Sequence, residues 1–317
     1  MFGMPALYHC YSRCVTFYQV KCRIRYLNLP AVQNQTSPLI LTFGAVDPVG
    51  AAGVTADLAV FSALACQGLA VTTALLIGDS ARIEDLQETD PDWVSDQARV
   101  LLEDAQVSAF KIGALQNMEH ASAIAEIVSD YPDAPLVLDP FSSRLPEAGE
   151  DADELLTIVR QLLVPQASVL MLSQVELGRL AETWRDADGN PDGNPDGDSN
   201  GDASIEDDVR YLIELGCEFV LVTGTPAGAG HGDAVRANTL YGADGVVRHD
   251  AWQHLPGPFL GAGGTLSAAI AAYLARGADT PTAVELAQDY TLGALAHAQR
   301  YGMGKLVPNR TFRSSPT

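Results

Sequence analysis

Gly261-Ala262-Gly263-Gly264-Thr265-Leu266-Ser267-Ala268-Ala269 is the stretch on which the reading of this chain turns. A helix that opens after three glycines presents N–H groups with no intrahelical acceptor and the positive end of its dipole. That combination suits a phosphoryl group whose charge rises during transfer. A small-residue helix start used only for close packing explains the same residues, so the segment alone leaves both readings open.

Two more turns stand beside it. Val222-Thr223-Gly224-Thr225 ends an apolar run, at the strand edge where open α/β folds bind ligands. Gly44-Ala45-Val46-Asp47-Pro48-Val49-Gly50-Ala51-Ala52-Gly53 joins the first such run to a helix carrying Asp57, and its small residues are expected to let a ligand reach backbone N–H groups. Asp47, before Pro48, is expected to cap its own turn.

From Pro38 onward, short β-rich runs alternate with amphipathic windows, the pattern of a mostly parallel sheet covered by helices. Strands are expected at 39–43, 70–76, 107–112, 136–138, 168–172 and 219–222. Helices are expected at 54–65, 93–102, 118–129, 153–163, 175–182, 205–215, 265–275 and 281–299. Asn238–Tyr241 and Val246–Arg248 flank Asp244-Gly245, which predicts a late β-hairpin. The organisation expected is a tail over 1–36, one domain over 37–310 with an Asp/Gly/Asn-rich insertion at 186–204, and a short tail at 311–317.

The 317 residues carry 19 Lys and Arg against 40 Asp and Glu, a formal charge of -21. Such a surface repels nucleic acid and anionic lipid, so an anionic ligand has to be held locally. No run of about 18 apolar residues occurs, which argues against a membrane span; a soluble, cytoplasmic enzyme is expected. Residues 1–36 reverse the charge balance, with Arg13, Lys21, Arg23 and Arg25 and no acid, and read as an appended, little-ordered segment. Five cysteines (Cys10, Cys14, Cys22, Cys66 and Cys217) make no paired framework, and Cys66 and Cys217 sit in apolar windows expected to bury them.

Within the insertion, Asp196, Asp198, Asn200, Gly201, Asp202 and Asp207 fall at the spacing of a calcium-binding EF-hand loop. Ala203 and Asp207 depart from that pattern at its eighth and twelfth positions. A solvated acidic loop is the competing reading.

Asp47-Pro48 with Gly50, Gly53 and Ala56-Asp57, then Lys111-Ile112-Gly113, Leu138-Asp139-Pro140, Glu176, Thr223-Gly224 and the turn at 261–268 resemble, in order, the hydroxymethylpyrimidine/phosphomethylpyrimidine kinases of thiamine biosynthesis. The resemblance spans nearly all of 38–310. It implies a ribokinase-like three-layer α/β/α fold, use of ATP and Mg²⁺, and possible pairing of two copies. Carried over by position, it implies Gly261, Ala262, Gly263 and Gly264 as an anion hole, and Asp57, Gly78, Ala114 and Ala45 at the acceptor. It likewise puts Thr223, Gly224, Glu176 and Asp139 at the nucleotide, with Glu176 reaching Mg²⁺ through water.

The departures fall at the same places. Gly264 stands where the family has the Cys that serves as general base, Gly78 where it has a pyrimidine-reading Gln, Ala114 where it has Met, and Ser173 where it has Asn. Three readings stay open: a kinase of the hydroxymethylpyrimidine or its phosphate, impaired at proton removal; a paralogue that binds ligand without turnover; and a kinase with another acceptor.

Overall fold

The computed structural model describes residues 37–141, 150–185, 205–226, 235–253 and 255–313. The tail over 1–36 with its three cysteines, the acidic insertion at 186–204, His254 and residues 314–317 lie outside them. All the described residues belong to one unit, Ser37–Thr317.

Among the described residues, nine strands form one sheet: β1 (Leu39–Val46), β2 (Gln67–Gly78), β3 (Ile83–Glu88), β4 (Ala109–Ile112), β5 (Leu136–Leu138), β6 (Val169–Ser173), β7 (Phe219–Pro226), β8 (Val235–Gly242) and β9 (Gly245–Gln253). Their spatial order is β3-β2-β1-β4-β5-β6-β7-β8-β9. Strands β2, β1, β4, β5, β6 and β7 are parallel to their neighbours, and the two ends close with antiparallel pairs. Among the described residues, eight α-helices accompany them: α1 (Gly53–Ala63), α2 (Pro91–Asp104), α3 (Met118–Ser129), α4 (Glu150–Ile158), α5 (Gln174–Arg185), α6 (Ile205–Glu214), α7 (Ala262–Ala275) and α8 (Thr280–Ala296).

The sheet is buried on both faces, and the period of two decides which side chain goes where. Leu41, Phe110, Leu136, Leu138, Leu170, Val220 and Val222 pack with apolar residues of α2, α3, α5 and α6. Their neighbours Ile40, Ala109, Val137, Val169, Met171 and Leu221 point the other way, to α1, α7 and α8. Helix α7 is Ala-rich and buried from Thr265 to Leu274, so it lies close under the sheet centre with α8 against it.

The expected parallel strands and the late hairpin all occur, with shifted ends. The β2–β3 hairpin was not foreseen: β2 runs on to Gly78, and Asp79 turns the chain by accepting from Ala81 N (2.7 Å) and Arg82 N (3.0 Å). Strand β3 carries only Ile83 and Leu86 as apolar residues, and an exposed edge gives no strong hydrophobic alternation to read.

Helix α1 ends in a Schellman motif: Cys66 N donates to Phe61 O (2.9 Å) and Ala65 N to Ser62 O (3.2 Å). Ala65 holds the left-handed position with φ +59° and is exposed, so its Cβ adds strain without packing. Ala65→Gly is therefore expected to stabilise the fold by about 1 kcal/mol. Denaturant unfolding checks this, and an unchanged or lowered midpoint would refute it.

Candidate active site

The carboxyl ends of β1, β4, β5, β6 and β7 open on one side of the sheet. There the direction of winding changes between β1 and β4, the topological switch point at which such sheets form a crevice. The crevice holds a cleft of about 280 Å³. Gly44 and Ala45 line it from β1, Lys111 from β4, Asp139 from the turn after β5, Ser173 and Glu176 from the β6–α5 junction, and Gly261 to Gly264 from the start of α7.

The two glycine-rich turns do different things. Asp47 gathers the N–H groups of its own turn, accepting from Val49 N (3.1 Å), Ala51 N (3.0 Å) and Ala52 N (3.0 Å), while Gly50 N donates to Asp47 O (3.0 Å). The amides of Val49, Gly50, Ala51 and Ala52 are thereby satisfied within the turn. At α7 the opposite holds. Thr265 N donates to Gly261 O, but the N–H groups of Ala262, Gly263 and Gly264 donate to nothing among the described residues. Three unpaired donors at one helix start make an anion cradle.

Gly261 is required by geometry. Its φ is +83°, and a Cβ there would fall 1.6 Å from Ala51 O, so the α7 start rests directly on the first turn. Gly264 is different: a Cβ there meets nothing within 4 Å and the backbone is helical. The structure has room for a side chain at the position where the resemblance implies a base.

Beneath the cleft floor lies a buried ion pair. Lys111 Nζ stands 3.0 Å from Asp57 Oδ2, which also accepts from Thr42 Oγ1 at 2.7 Å. Asp57 is fully buried and is not among the residues lining the cleft; it holds the Lys111 ammonium at the cleft floor through Oδ2, and its Oδ1 has no hydrogen-bond partner. Removing one member of such a pair strands the other charge, at a cost of about 3–5 kcal/mol.

Asp139 and Glu176 bring two carboxyl groups to the same cleft. Asp139 Oδ2 accepts from Ser267 Oγ of α7 at 2.7 Å. Desolvation raises its pKa from 3.8 to about 6; Lys111 and the Ser267 hydrogen bond oppose the shift, and the charges of Glu176 and Asp57 add to it. Glu176 and Ser173 form a capping box: Ser173 N donates to Glu176 Oε2 (2.6 Å) and Glu176 N to Ser173 Oγ (3.2 Å). That reciprocal cap gives Ser173, in place of Asn, a defined role in orienting Glu176.

A second cavity of about 250 Å³ adjoins the first, and Thr223, Phe259, Ala262 and Gly263 line both. Gly224, in a bulge of β7 at φ +74°, donates its N–H to Asn238 Oδ1 (3.2 Å). Two buried polar atoms in this lining have no partner: Asn238 Nδ2, a donor, and Gln288 Oε1, an acceptor. Their amides are oriented by the bonds they do make, to Gly224 N and to Asp250 Oδ2 (2.8 Å).

Of the residues singled out from sequence, Ala45, Ala114, Asp139, Glu176, Thr223 and 261–264 share the first cleft, and Gly224 lies in the second. Gly78 lines neither: it sits in the β2–β3 bulge, where a Cβ would meet Arg82 O at 2.6 Å. Asp207 is in the first turn of α6, exposed and bonded to Arg210 (2.8 Å), and Asp196, Asp198, Asn200 and Asp202 lie outside the described residues. Sequence reasoning missed Gln116, Asn238, Phe259, Gln288 and Arg310. None has a local motif, because only the folded chain brings them to the cleft or its rim.

A profile of the family described as phosphomethylpyrimidine kinase matches residues 47–309. The chain is 28% identical to a hydroxymethylpyrimidine/phosphomethylpyrimidine kinase of Escherichia coli, over 83% of this chain and 93% of that one. It is 30% identical to that of Streptomyces coelicolor, over 85% and 93%. Among solved structures, an ADP complex of Bacillus subtilis pyridoxal kinase superposes with a TM-score of 0.72 at 20% identity, covering 88% of this chain and 100% of that one. A phosphomethylpyrimidine kinase of Clostridium difficile gives 0.62 at 24% identity, covering 82% and 100%.

Two outcomes follow for the cleft. Gly264→Cys should fold with unchanged or slightly higher stability, by up to about 1 kcal/mol, whereas Gly261→Ala should lose on the order of 3 kcal/mol or more. Thermal unfolding of the pair decides, and equal losses would contradict the geometry. For Asp139, the folded pKa lies above the unfolded one, so the folded state binds the proton more tightly and stability falls as pH rises between about 4 and about 6. Asp139→Asn should abolish that part of the pH dependence and be the more stable protein at pH 7. A wild-type slope unchanged in the variant would exclude the assignment.

Proposed function

The chain belongs to the phosphomethylpyrimidine kinase family, and from that premise we propose that it is a phosphotransferase of thiamine biosynthesis acting chiefly on the monophosphate of a hydroxymethyl aminopyrimidine, with ATP as donor. The observation that carries this reading is the pair of adjoining cavities with the unpaired N–H groups of Ala262, Gly263 and Gly264 at their junction.

The larger cleft takes the acceptor and the smaller one the nucleotide base, so the phosphates run between them over the start of α7. Asn238 Nδ2 and Gln288 Oε1 offer one donor and one acceptor, which suits a purine edge carrying both. The three N–H groups and the dipole of α7 hold the oxygens of the phosphoryl group in transit, where charge accumulates. Lys111 Nζ, fixed by Asp57, adds a positive charge from the floor.

Asp139 and Glu176 fit a magnesium ion. They are two carboxylates in one cleft, no group of three metal-ligating acids, histidines or cysteines occurs among the described residues, and Mg²⁺ is held by one or two carboxylates together with phosphate oxygens and water. Held there, Mg²⁺ would supply neutralisation of phosphate charge during transfer. Ionised Asp139 is the form such a cation requires, and the cation's field would return its pKa toward the ordinary carboxylate range.

Preference for the monophosphate follows from what Gly264 lacks. Phosphorylating an alcohol needs its proton removed, and a positioned base contributes about 10²- to 10⁴-fold to that step. A phosphomonoester has its second pKa near about 6, so at neutral pH it is already the nucleophilic dianion. Cradle and orientation are enough for the second step and leave the first one slow.

ADP release from MgATP, measured with the free alcohol and with its monophosphate, tests this. The monophosphate is expected to turn over faster by about 10²-fold or more, and Gly264→Cys to raise the alcohol rate while leaving the monophosphate rate nearly unchanged. Comparable wild-type rates on the two acceptors would remove the preference. Absence of nucleotide binding by calorimetry, in both proteins, would remove the kinase reading and leave a binding role.

A further inference from the structure

Arg310 follows Pro308-Asn309 near the end of the described chain, outside every motif singled out in the sequence, yet it is 6% exposed. Its guanidinium makes three hydrogen bonds to two separate parts of the site. Nη1 donates to Gly50 O (2.8 Å) and Nη2 to Ala51 O (2.6 Å), both in the first turn, and Nε donates to Thr265 Oγ1 (3.1 Å) in the first turn of α7. The backbone behind it is fixed as well, since Arg310 O accepts from Tyr290 OH (2.6 Å) on α8.

The acceptors are all neutral. No carboxylate among the described residues lies within ion-pair distance of Arg310: Asp47 is held by three amides, and Asp57 binds Lys111 and Thr42 through Oδ2 while its Oδ1 has no hydrogen-bond partner. Burial lowers the Arg310 pKa, with Asp57, Tyr290 and Asp47 acting the other way, but a guanidinium remains charged. Burying a cation is costly unless it is hydrogen-bonded and near opposite charge, and here three hydrogen bonds and the fields of Asp57 and Asp47 offset the cost. One turn of helix away stand the unpaired N–H groups of Ala262, Gly263 and Gly264.

We propose that Arg310 is a positioning residue for phosphoryl transfer: its forked guanidinium locks the Asp47–Gly53 turn against the start of α7, fixing the three-amide cradle and adding positive charge beneath it. The inference rests on the nucleotide reading given above. The planar fork is essential, because it reaches both carbonyls of the first turn and the threonine of α7 at once; an ammonium supplies the charge but not the three-way geometry. The surrounding segment acts with it. Leu260 N donates to Leu306 O (2.8 Å), Leu306 N to Pro258 O (2.9 Å), and Lys305 N to Ser80 O (3.0 Å), so residues 304–310 tie the β2–β3 turn, the approach to α7 and the first turn together.

Arg310→Met and Arg310→Lys, in the full chain, test this through the affinities of adenosine and of the non-hydrolysable triphosphate AMP-PCP with Mg²⁺, measured by calorimetry. Because Arg310 acts at the phosphates and not at the base, Arg310→Met should bind adenosine within about twofold of wild type and AMP-PCP at least about tenfold more weakly. Arg310→Lys should recover part of the AMP-PCP affinity but less of kcat, since charge returns without the fork. Equal losses for both ligands would mean a general structural defect and overturn the proposal, as would an unchanged AMP-PCP affinity. If Arg310→Met fails to fold, Arg310→Lys carries the same comparison: AMP-PCP affinity must fall relative to adenosine, or the proposal is wrong. A wild-type protein that binds neither ligand sinks the nucleotide reading itself, whereas tight AMP-PCP binding retained by the variants sinks only the role of Arg310.

Discussion

Two backbone turns touch at the centre of this molecule, where Gly261 lies against the carbonyl of Ala51 with no room for a Cβ between them. That contact fixes how near α7 comes to the end of β1, and therefore the width of the cleft. It holds only because each turn's polar groups are satisfied in its own way. Asp47 absorbs the amides of the first turn and Arg310 its carbonyls, so that turn is a rigid wall. The α7 start keeps its own amides free and becomes the reactive surface.

The electrostatics of the site make sense against that arrangement. A chain of formal charge -21 has no long-range attraction to offer a polyphosphate. On the proposed reading, attraction comes locally from buried Lys111 at the cleft floor, from Arg310 behind the first turn, and from the helix dipole and three amides of α7, where charge is poorly screened. The same desolvation lifts Asp139 to about 6, which makes its charge state responsive to a bound cation. Asp57 contributes indirectly, by holding Lys111 in place.

Catalytic power is unevenly distributed over this site. In the proposed reaction the cradle, the capping box that orients Glu176 and the cation at the floor would all serve stabilisation of the transferred group. Nothing at residue 264 can activate an acceptor, although the space for a side chain is open. On the proposed reading, such a site favours an acceptor that arrives already ionised, because the missing side chain affects proton removal and not the architecture.

By itself the sequence determined the fold class and marked the glycine turn before α7. Apolar runs such as Leu136–Leu138 and Val169–Leu172 have the character of doubly covered strands, while three glycines before an Ala-rich helix fit a phosphate site or close packing equally well. These are local signals, carried by residues adjacent in the chain. Tertiary structure alone decided which groups meet. Asp57 reads as a pocket residue until its burial against Lys111 is seen, and Gly78 reads as an acceptor position until the β2–β3 bulge takes it away. Arg310 is invisible in sequence because its partners lie about 45 and 260 positions away. Such contacts are set by how the crossovers return the chain to one edge of the sheet, and no local pattern of residues encodes that distance.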